Sequence, residues 1–303
     1  MKGRQFISGA ARLAGVIGWP VSHSRSPLLH GYWLSSLDID GAYVPLAVRP
    51  EDLETAVRAL PGLGFRGANV TVPHKEAVMA LMDSVDLTAR RIGAVNTIVV
   101  LPDGTLEGRN TDAFGFIENL RDRAPGWRPG TGPAVVIGAG GAARAVVVGL
   151  LDTGVTEITI VNRTRARAEA IVTDIGDSRL VVTDWAARSH ALEGAGLLVN
   201  TTTLGMAGHG PLDLYLGVLP EQATVADIVY TPLETPLLAA ARARGLAVVD
   251  GLGMLIHQGR PGFAAWFGVE PEADDALRQA LLDDIAPDNI NSDNTTSGRG
   301  AGS

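Results

Sequence analysis

A chain of 303 residues, 46% hydrophobic and 19% charged, has room for two packed cores. Its 33 acidic against 25 basic residues give a net charge of -8, which argues against a coat for nucleic acid or anionic membrane but leaves a small anionic ligand open. The lack of cysteine excludes disulfides, thiolate metal sites and a thiol nucleophile, and no apolar run nears the roughly 18 residues that span a bilayer.

The first half alternates strand and helix signals. Residues 13–17 read as a strand closed by Gly18-Trp19-Pro20, and Pro27 suits the first turn of a helix reaching about Leu37. A strand follows over 42–47, and Pro50 opens a second helix with Glu51 and Asp52 in its first turn. Residues 68–72 form a buried strand stopped by Pro73. Strands at 94–100 and 105–108 flank the turn signal Asp103-Gly104. The alternation predicts an α/β domain with a mostly parallel sheet. Residues 111–123 read as a linking helix, with Pro125-Gly126 and Pro129-Gly130 as loop.

From Pro133 the pattern becomes more regular. Strands are expected at 134–137, 157–161, 180–182, 197–200, 224–228 and 247–250, with helical segments between them, as in a Rossmann doubly wound sheet. A helix over 272–284 carries Leu277, Leu281 and Ile285 at helical spacing. Domain limits follow: 1–112 completed by 251–286, then 113–250, then a disordered Asn-, Ser- and Gly-rich tail at 287–303. Lys2 and Arg4 precede no long apolar stretch, so no secretory leader is expected and the cytoplasm is the expected location.

Gly138-Ala139-Gly140-Gly141-Ala142-Ala143 is the G-x-G-x-x-A form of the dinucleotide fingerprint. Gly138 permits the tight turn, Gly140 lets backbone approach a pyrophosphate, and the helix N-terminus offers free N–H groups. Gly154 is placed to end that helix. The next strand ends in Asn162-Arg163-Thr164, followed by Arg165 and Arg167, where an NAD-binding chain would carry an acid. Guanidinium groups match a 2′-phosphate, so the expected cofactor is NADP.

Three segments before this loop are polar in unusual places: Ser22 to Pro27, Asn69 to Lys75, and Asn110-Thr111-Asp112. Singly, each has an ordinary reading as a helix cap or a solvated lysine. Together, Ser24-Arg-Ser-Pro27, Asn69-Val-Thr-Val-Pro-His-Lys75, Gly93-Ala-Val-Asn-Thr97 and Gly108-Arg-Asn-Thr-Asp112 resemble the shikimate dehydrogenases. The resemblance continues through the glycine loop, Asn162-Arg-Thr164, Tyr230-Thr-Pro-Leu-Glu-Thr-Pro236, Asp250-Gly-Leu-Gly-Met-Leu255 and Gln258, covering roughly residues 13–285.

That resemblance implies reversible reduction of 3-dehydroshikimate to shikimate by NADPH, in aromatic amino-acid biosynthesis. It makes 1–112 the substrate domain and 113–250 the NADP domain. Lys75 and Asp112 are implied as the catalytic pair, Ser24, Ser26 and Tyr230 as carboxylate ligands, and Thr71, Asn96, Asp112 and Gln258 as readers of ring hydroxyls. Gly138, Ala139, Gly140, Gly141, Ala142, Asn162, Arg163, Thr164, Arg167, Ile228 and Gly251 are implied on the cofactor. Quinate or aminoshikimate dehydrogenation, or a non-catalytic ligand sensor, are the alternatives. A monomer or homodimer is expected, with no metal, nucleic-acid or membrane partner; His23, His74 and His257 read as packing groups. Two departures from the family pattern stand out: Arg260 at the pocket edge, and threonines 201–203 where serine is common.

Overall fold

The computed structural model describes residues 6–296, with side chains described as far as residue 285. Two compact units emerge. Among the described residues, the first holds 6–115 together with Leu255–Leu277; the second holds Phe116–Met254 and 278–296. The sequence reading placed 251–286 with the first domain, whereas residues 251–254 and the stretch from Arg278 pack with the second.

In the first unit β1 (Arg12–Gly18), α1 (Ser26–Ser36), β2 (Gly41–Ala47), α2 (Leu53–Ala59) and β3 (Phe65–Val70) come in order. They are followed by β4 (Ser84–Val85), α3 (Leu87–Ile92), β5 (Thr97–Val100), β6 (Leu106–Arg109) and the start of α4 (Asp112–Arg123). The sheet order is β2-β1-β3-β5-β6-β4. β1 pairs parallel with β2 and β3, and β4 parallel with β6, but β5 is antiparallel to both β3 and β6. The sheet is therefore mixed, because residues 101–105 close a hairpin in which Asp103 Oδ1 accepts from Thr105 N–H at 3.0 Å. Pro50 to Asp52 make only a short 3-10 turn before α2.

The second unit carries β7 (Ala134–Ile137), α5 (Gly141–Thr153), β8 (Ile158–Asn162), α6 (Arg165–Ile175), β9 (Leu180–Asp184) and β10 (Leu197–Asn200). Then come β11 (Thr224–Asp227), α7 (Pro236–Ala243), β12 (Ala247–Val249) and the start of α8 (Leu252–Phe267). All five pairings in the order β12-β11-β10-β7-β8-β9 are parallel. Alternate residues feed two cores: Ala134, Val136, Ile158, Ile160, Leu197 and Val199 face one layer, while Val135, Ile137, Val161, Leu198 and Val225 face the other. Burial on both faces is why these strands read as unbroken apolar runs.

α9 (Asp275–Thr296) starts three residues later than expected, because Asp274 Oδ1 accepts the Leu277 N–H at 2.7 Å and sets the helix start there. It runs on to Thr296. Extending an existing helix needs no new nucleus, so residues that would not start one can continue it. Residues 297–303 lie outside the described residues. Among the described residues no helix is long and apolar enough to cross a membrane.

Candidate active site

In the first unit, polar groups gather where β3 ends and α4 begins. After Val70 the chain turns, with the His74 N–H on the Thr71 carbonyl at 3.0 Å. His74 is buried and its Nε2 lies 2.8 Å from the Val48 carbonyl oxygen, which ties the turn to the segment after β2. The next residue, Lys75, donates from Nζ to Asp112 Oδ2 at 2.6 Å; the two side chains are 22% and 7% exposed. Asp112 opens α4, where a carboxylate meets the positive end of the helix dipole. Its own N–H is taken by Asn110 Oδ1 at 2.9 Å.

Asn96 completes the pair. Its Oδ1 accepts the Thr111 N–H at 2.9 Å, so the amide can present only Nδ2 to Asp112 Oδ1 (2.8 Å) and Thr111 Oγ1 (3.0 Å). The residue expected to read a ring hydroxyl thus also holds the Asp112 oxygen that Lys75 leaves free.

Ser24 Oγ accepts the Ser26 N–H at 3.3 Å, Ser26 being buried and Ser24 half-buried. The cap position of α1 is Arg25, with no side-chain capping bond, so neither serine is used up as a cap. Thr71 is half-buried on the turn that leads to Lys75. Gln258 lies on α8, its Nε2 3.0 Å from the Leu255 carbonyl oxygen. A Cβ added at Gly115, one turn beyond Asp112, would stand 2.6 to 2.9 Å from the Cβ, N and Cα of Gln258. Glycine there lets α8 approach α4 beside the carboxylate. Arg260, read as a change at the pocket edge, is tied away by the Pro271 carbonyl oxygen (2.9 Å) and Glu270 Oε1 (2.8 Å).

The second unit builds the loop. Gly138 has φ +120°, and a Cβ there would meet Thr201 Oγ1 at 2.4 Å, a hydroxyl itself held on the Ile137 carbonyl oxygen. Gly140 caps α5 without a side-chain bond; a Cβ on Gly140 or Gly141 would meet nothing within 4 Å. Ala139 and Ala142 are half-buried on either side of them. Open space at Gly140 and Gly141, beside a helix start whose first N–H groups have no intrahelical partner, is what a phosphate site requires. α5 ends at Gly154 in the left-handed region.

At the end of β8, Asn162 Nδ2 donates to the Thr164 carbonyl at 2.8 Å, and Thr164 is the cap residue of α6. Arg165 is engaged by Glu169 (2.7 Å) and Asp184 (2.8 Å). Arg163 and Arg167 are exposed and free of ion pairs among the described residues. Ile228 and Tyr230, both half-buried, follow β11, and a Cβ at Gly251 would lie 2.2 Å from the Ile228 carbonyl oxygen, so these segments touch. This donor set fits a dinucleotide with a 2′-phosphate.

Sequence reasoning passed over Asp227, at the end of β11. Its Oδ1 accepts from Asn200 Nδ2 and the Val229 N–H, each at 3.0 Å, and its Oδ2 from Thr235 Oγ1 at 2.8 Å. Burial still pushes this carboxyl up to about 6. The available signal was an acid closing an apolar strand. Tyr43, Asn69 and Thr97 were likewise left without a role, although polar residues inside strands mark them.

A glycine turn at the head of an all-parallel sheet, free arginines beyond the next strand, and a lysine–carboxylate pair in a separate unit define a dinucleotide-dependent oxidoreductase. Comparison with known proteins narrows the class. Residues 16–98 match the shikimate dehydrogenase substrate binding domain, 130–204 shikimate/quinate 5-dehydrogenase, and 251–282 the shikimate 5′-dehydrogenase C-terminal domain. Shikimate dehydrogenase (NADP(+)) of Paramagnetospirillum magneticum is 65% identical over 276 residues, which span 91% of this chain and 100% of that protein. The crystal structure of shikimate 5-dehydrogenase from Thermus thermophilus in complex with NADP(H) and shikimate gives a TM-score of 0.80 at 40% identity, over 89% of this chain and 100% of that one. Quinate dehydrogenase from Corynebacterium glutamicum in complex with NAD gives 0.84 at 33% identity, over 90% and 99%. The chain belongs to the shikimate dehydrogenase family.

Proposed function

We infer that this chain is a cytoplasmic NADP-dependent oxidoreductase, monomer or homodimer, that interconverts 3-dehydroshikimate and shikimate in aromatic amino-acid biosynthesis. The observation that carries the reading is the 2.6 Å contact of Lys75 Nζ with Asp112 Oδ2. NADPH, when bound, supplies the hydride. A ketone oxygen that gains alkoxide character needs a proton from a positioned acid, and Lys75 Nζ gives it there and takes it back in the reverse direction. Asp112 holds the ammonium in place and accepts from a neighbouring ring hydroxyl. Ser24, Ser26 and Tyr230 hold the substrate carboxylate, while Thr71, Asn96 and Gln258 read the remaining hydroxyls. A site built from such groups disfavours analogues that lack a hydroxyl.

On the cofactor side, Gly138, whose own N–H is taken by the Val161 carbonyl, makes the turn, and N–H groups of residues 139–142 take the pyrophosphate. Arg163 and Arg167 take the 2′-phosphate, with Asn162 and Thr164 shaping the bend between them. Ile228 and Gly251 form a wall for the nicotinamide half.

The test follows NADPH oxidation with 3-dehydroshikimate and NADP reduction with shikimate and with quinate. Shikimate is expected to give the higher kcat/KM; a higher value for quinate would establish the quinate alternative. Lys75→Ala is expected to lose about 10²–10⁴-fold in turnover while still binding NADP. Near-normal turnover in that variant would overturn the role of the pair. Binding of both ligands by the parent chain without turnover would make it a sensor.

A further inference from the structure

Behind the Lys75–Asp112 pair lies a set of buried polar groups to which the reaction above assigns no task. Asn69 of β3 and Thr97 of β5 are 5% and 1% exposed, and Tyr43 of β2 is equally enclosed. Such residues in the middle of a core need a complete set of partners, and they have one.

Along one path through these groups the direction of each hydrogen bond can be worked out. Asn69 Nδ2 lies 3.2 Å from the Asn96 carbonyl oxygen, which only accepts, and 3.2 Å from Thr97 Oγ1. The other end of that amide, Oδ1, therefore faces Tyr43 Oη at 2.6 Å, and the phenol must donate. Thr97 Oγ1, having accepted from Asn69, donates to Asn96 Oδ1 at 2.9 Å. Asn96 Nδ2 donates to Asp112 Oδ1. Each group hands the donor sense to the next, and the carboxylate is the final acceptor.

We propose that this one-way chain, from Tyr43 through Asn69, Thr97 and Asn96 to Asp112, positions the catalytic carboxylate. Tyr43, Asn69 and Thr97 are positioning residues. They fix the Asn96 amide, and Asn96 holds Oδ1 so that Oδ2 meets Lys75. The proposal rests on the reading that Lys75 and Asp112 act on the substrate.

The surroundings suit the task. His30 stacks on the Tyr43 ring at 3.9 Å between centroids and 2° between planes, with Trp33, Phe263 and Trp266 beside it. Burial pushes His30 down to about 3, so its ring is neutral, and raises Tyr43 well above the usual phenol range, so its hydrogen is always present. Linked hydrogen bonds in a dry core polarise one another, and a charged end acceptor strengthens that alignment.

The experiment uses the full chain with shikimate and NADP, and three variants: Tyr43→Phe, Thr97→Val and Thr97→Ser. The first two keep the shape and break the chain; the third keeps the hydroxyl. Tyr43→Phe and Thr97→Val are expected to lower kcat about tenfold or more with NADP affinity unchanged, since small misplacements of a reacting group cost that much. Thr97→Ser is expected to stay within about threefold of the parent. Turnover within about twofold in both broken variants, with only Tm lowered, would show the chain to be structural and overturn the proposal. Equal losses in Thr97→Ser and Thr97→Val would overturn it too, by assigning the effect to the methyl group. A parent chain without turnover would instead refute the reading of the pair itself.

Discussion

Asp227→Asn isolates the electrostatic cost of the acid at the end of β11. Burial pushes this carboxyl up to about 6 from its ordinary 3.8, despite three hydrogen bonds that favour the charged form. A gap of about 2 pH units at about 1.4 kcal/mol each makes ionised Asp227 cost about 3 kcal/mol in the folded state. Because the folded value is raised, the native state binds the extra proton: the stabilising contribution is full below about 4 and is lost as pH rises through about 6. The amide is the natural comparison. Its oxygen can keep the Asn200 and Val229 bonds, and Thr235 can turn its hydroxyl to accept from the new NH₂. Any cost of that rotation is the same at every pH. The difference in unfolding free energy between Asp227→Asn and the parent should therefore move by about 3 kcal/mol in favour of the variant between pH 4 and pH 8. Urea unfolding followed by circular dichroism across that range measures it, and groups shared by both chains cancel. A difference that stays flat with pH would refute the buried-charge account.

Arg163→Ala should raise KM for NADP by about 10-fold or more, from loss of a charge-assisted bond of about 1.5–3 kcal/mol, and leave KM for NAD nearly unchanged; equal effects on both would remove the 2′-phosphate assignment. Gly115→Ala should force α8 away from α4, because the new methyl meets backbone atoms of Gln258 rather than a side-chain tip. Steady-state kinetics should then show KM for shikimate up by about tenfold, with NADP affinity intact, and an unchanged KM would mean that the close approach has no bearing on the site.

The second unit was legible nearly to the residue because its strands are buried on both faces, which leaves no ambiguity of phase: Ala134–Ile137 and Leu197–Asn200 have the expected bounds. The first unit was less so. The strand expected from Ala94 begins at Thr97, since the Val95 N–H goes to the Lys75 carbonyl rather than to a ladder. α3 was passed over because six residues are too few to display a helical period, even though Asp86 caps it and Gly93 ends it. Within the site, residue types were readable but bond directions were not. Nothing in the order Asn96-Thr97 reveals that one amide is locked by the Thr111 N–H; that depends on β5 and the start of α4 meeting in space.

The same distinction governs the charge. A net charge of -8 bears on the partners of the whole surface, but interactions between exposed charges fade beyond about 8–10 Å at physiological salt. An anionic ligand therefore responds to the few groups beside it. The chain arranges those groups by deciding which cations are already neutralised. Arg165 is occupied by Glu169 and Asp184, and Arg144, in the first turn of α5, by Asp174 at 2.6 Å. Arg163 and Arg167 are left over, and α5 begins with no acid in its first turn. Lys75 is the opposite case: its charge is already engaged, but by a carboxylate whose second oxygen is held elsewhere. It is thereby oriented and still partly exposed, as proton transfer at a substrate oxygen requires. An acidic chain handles anionic ligands because pairing, not totals, decides which charges remain available.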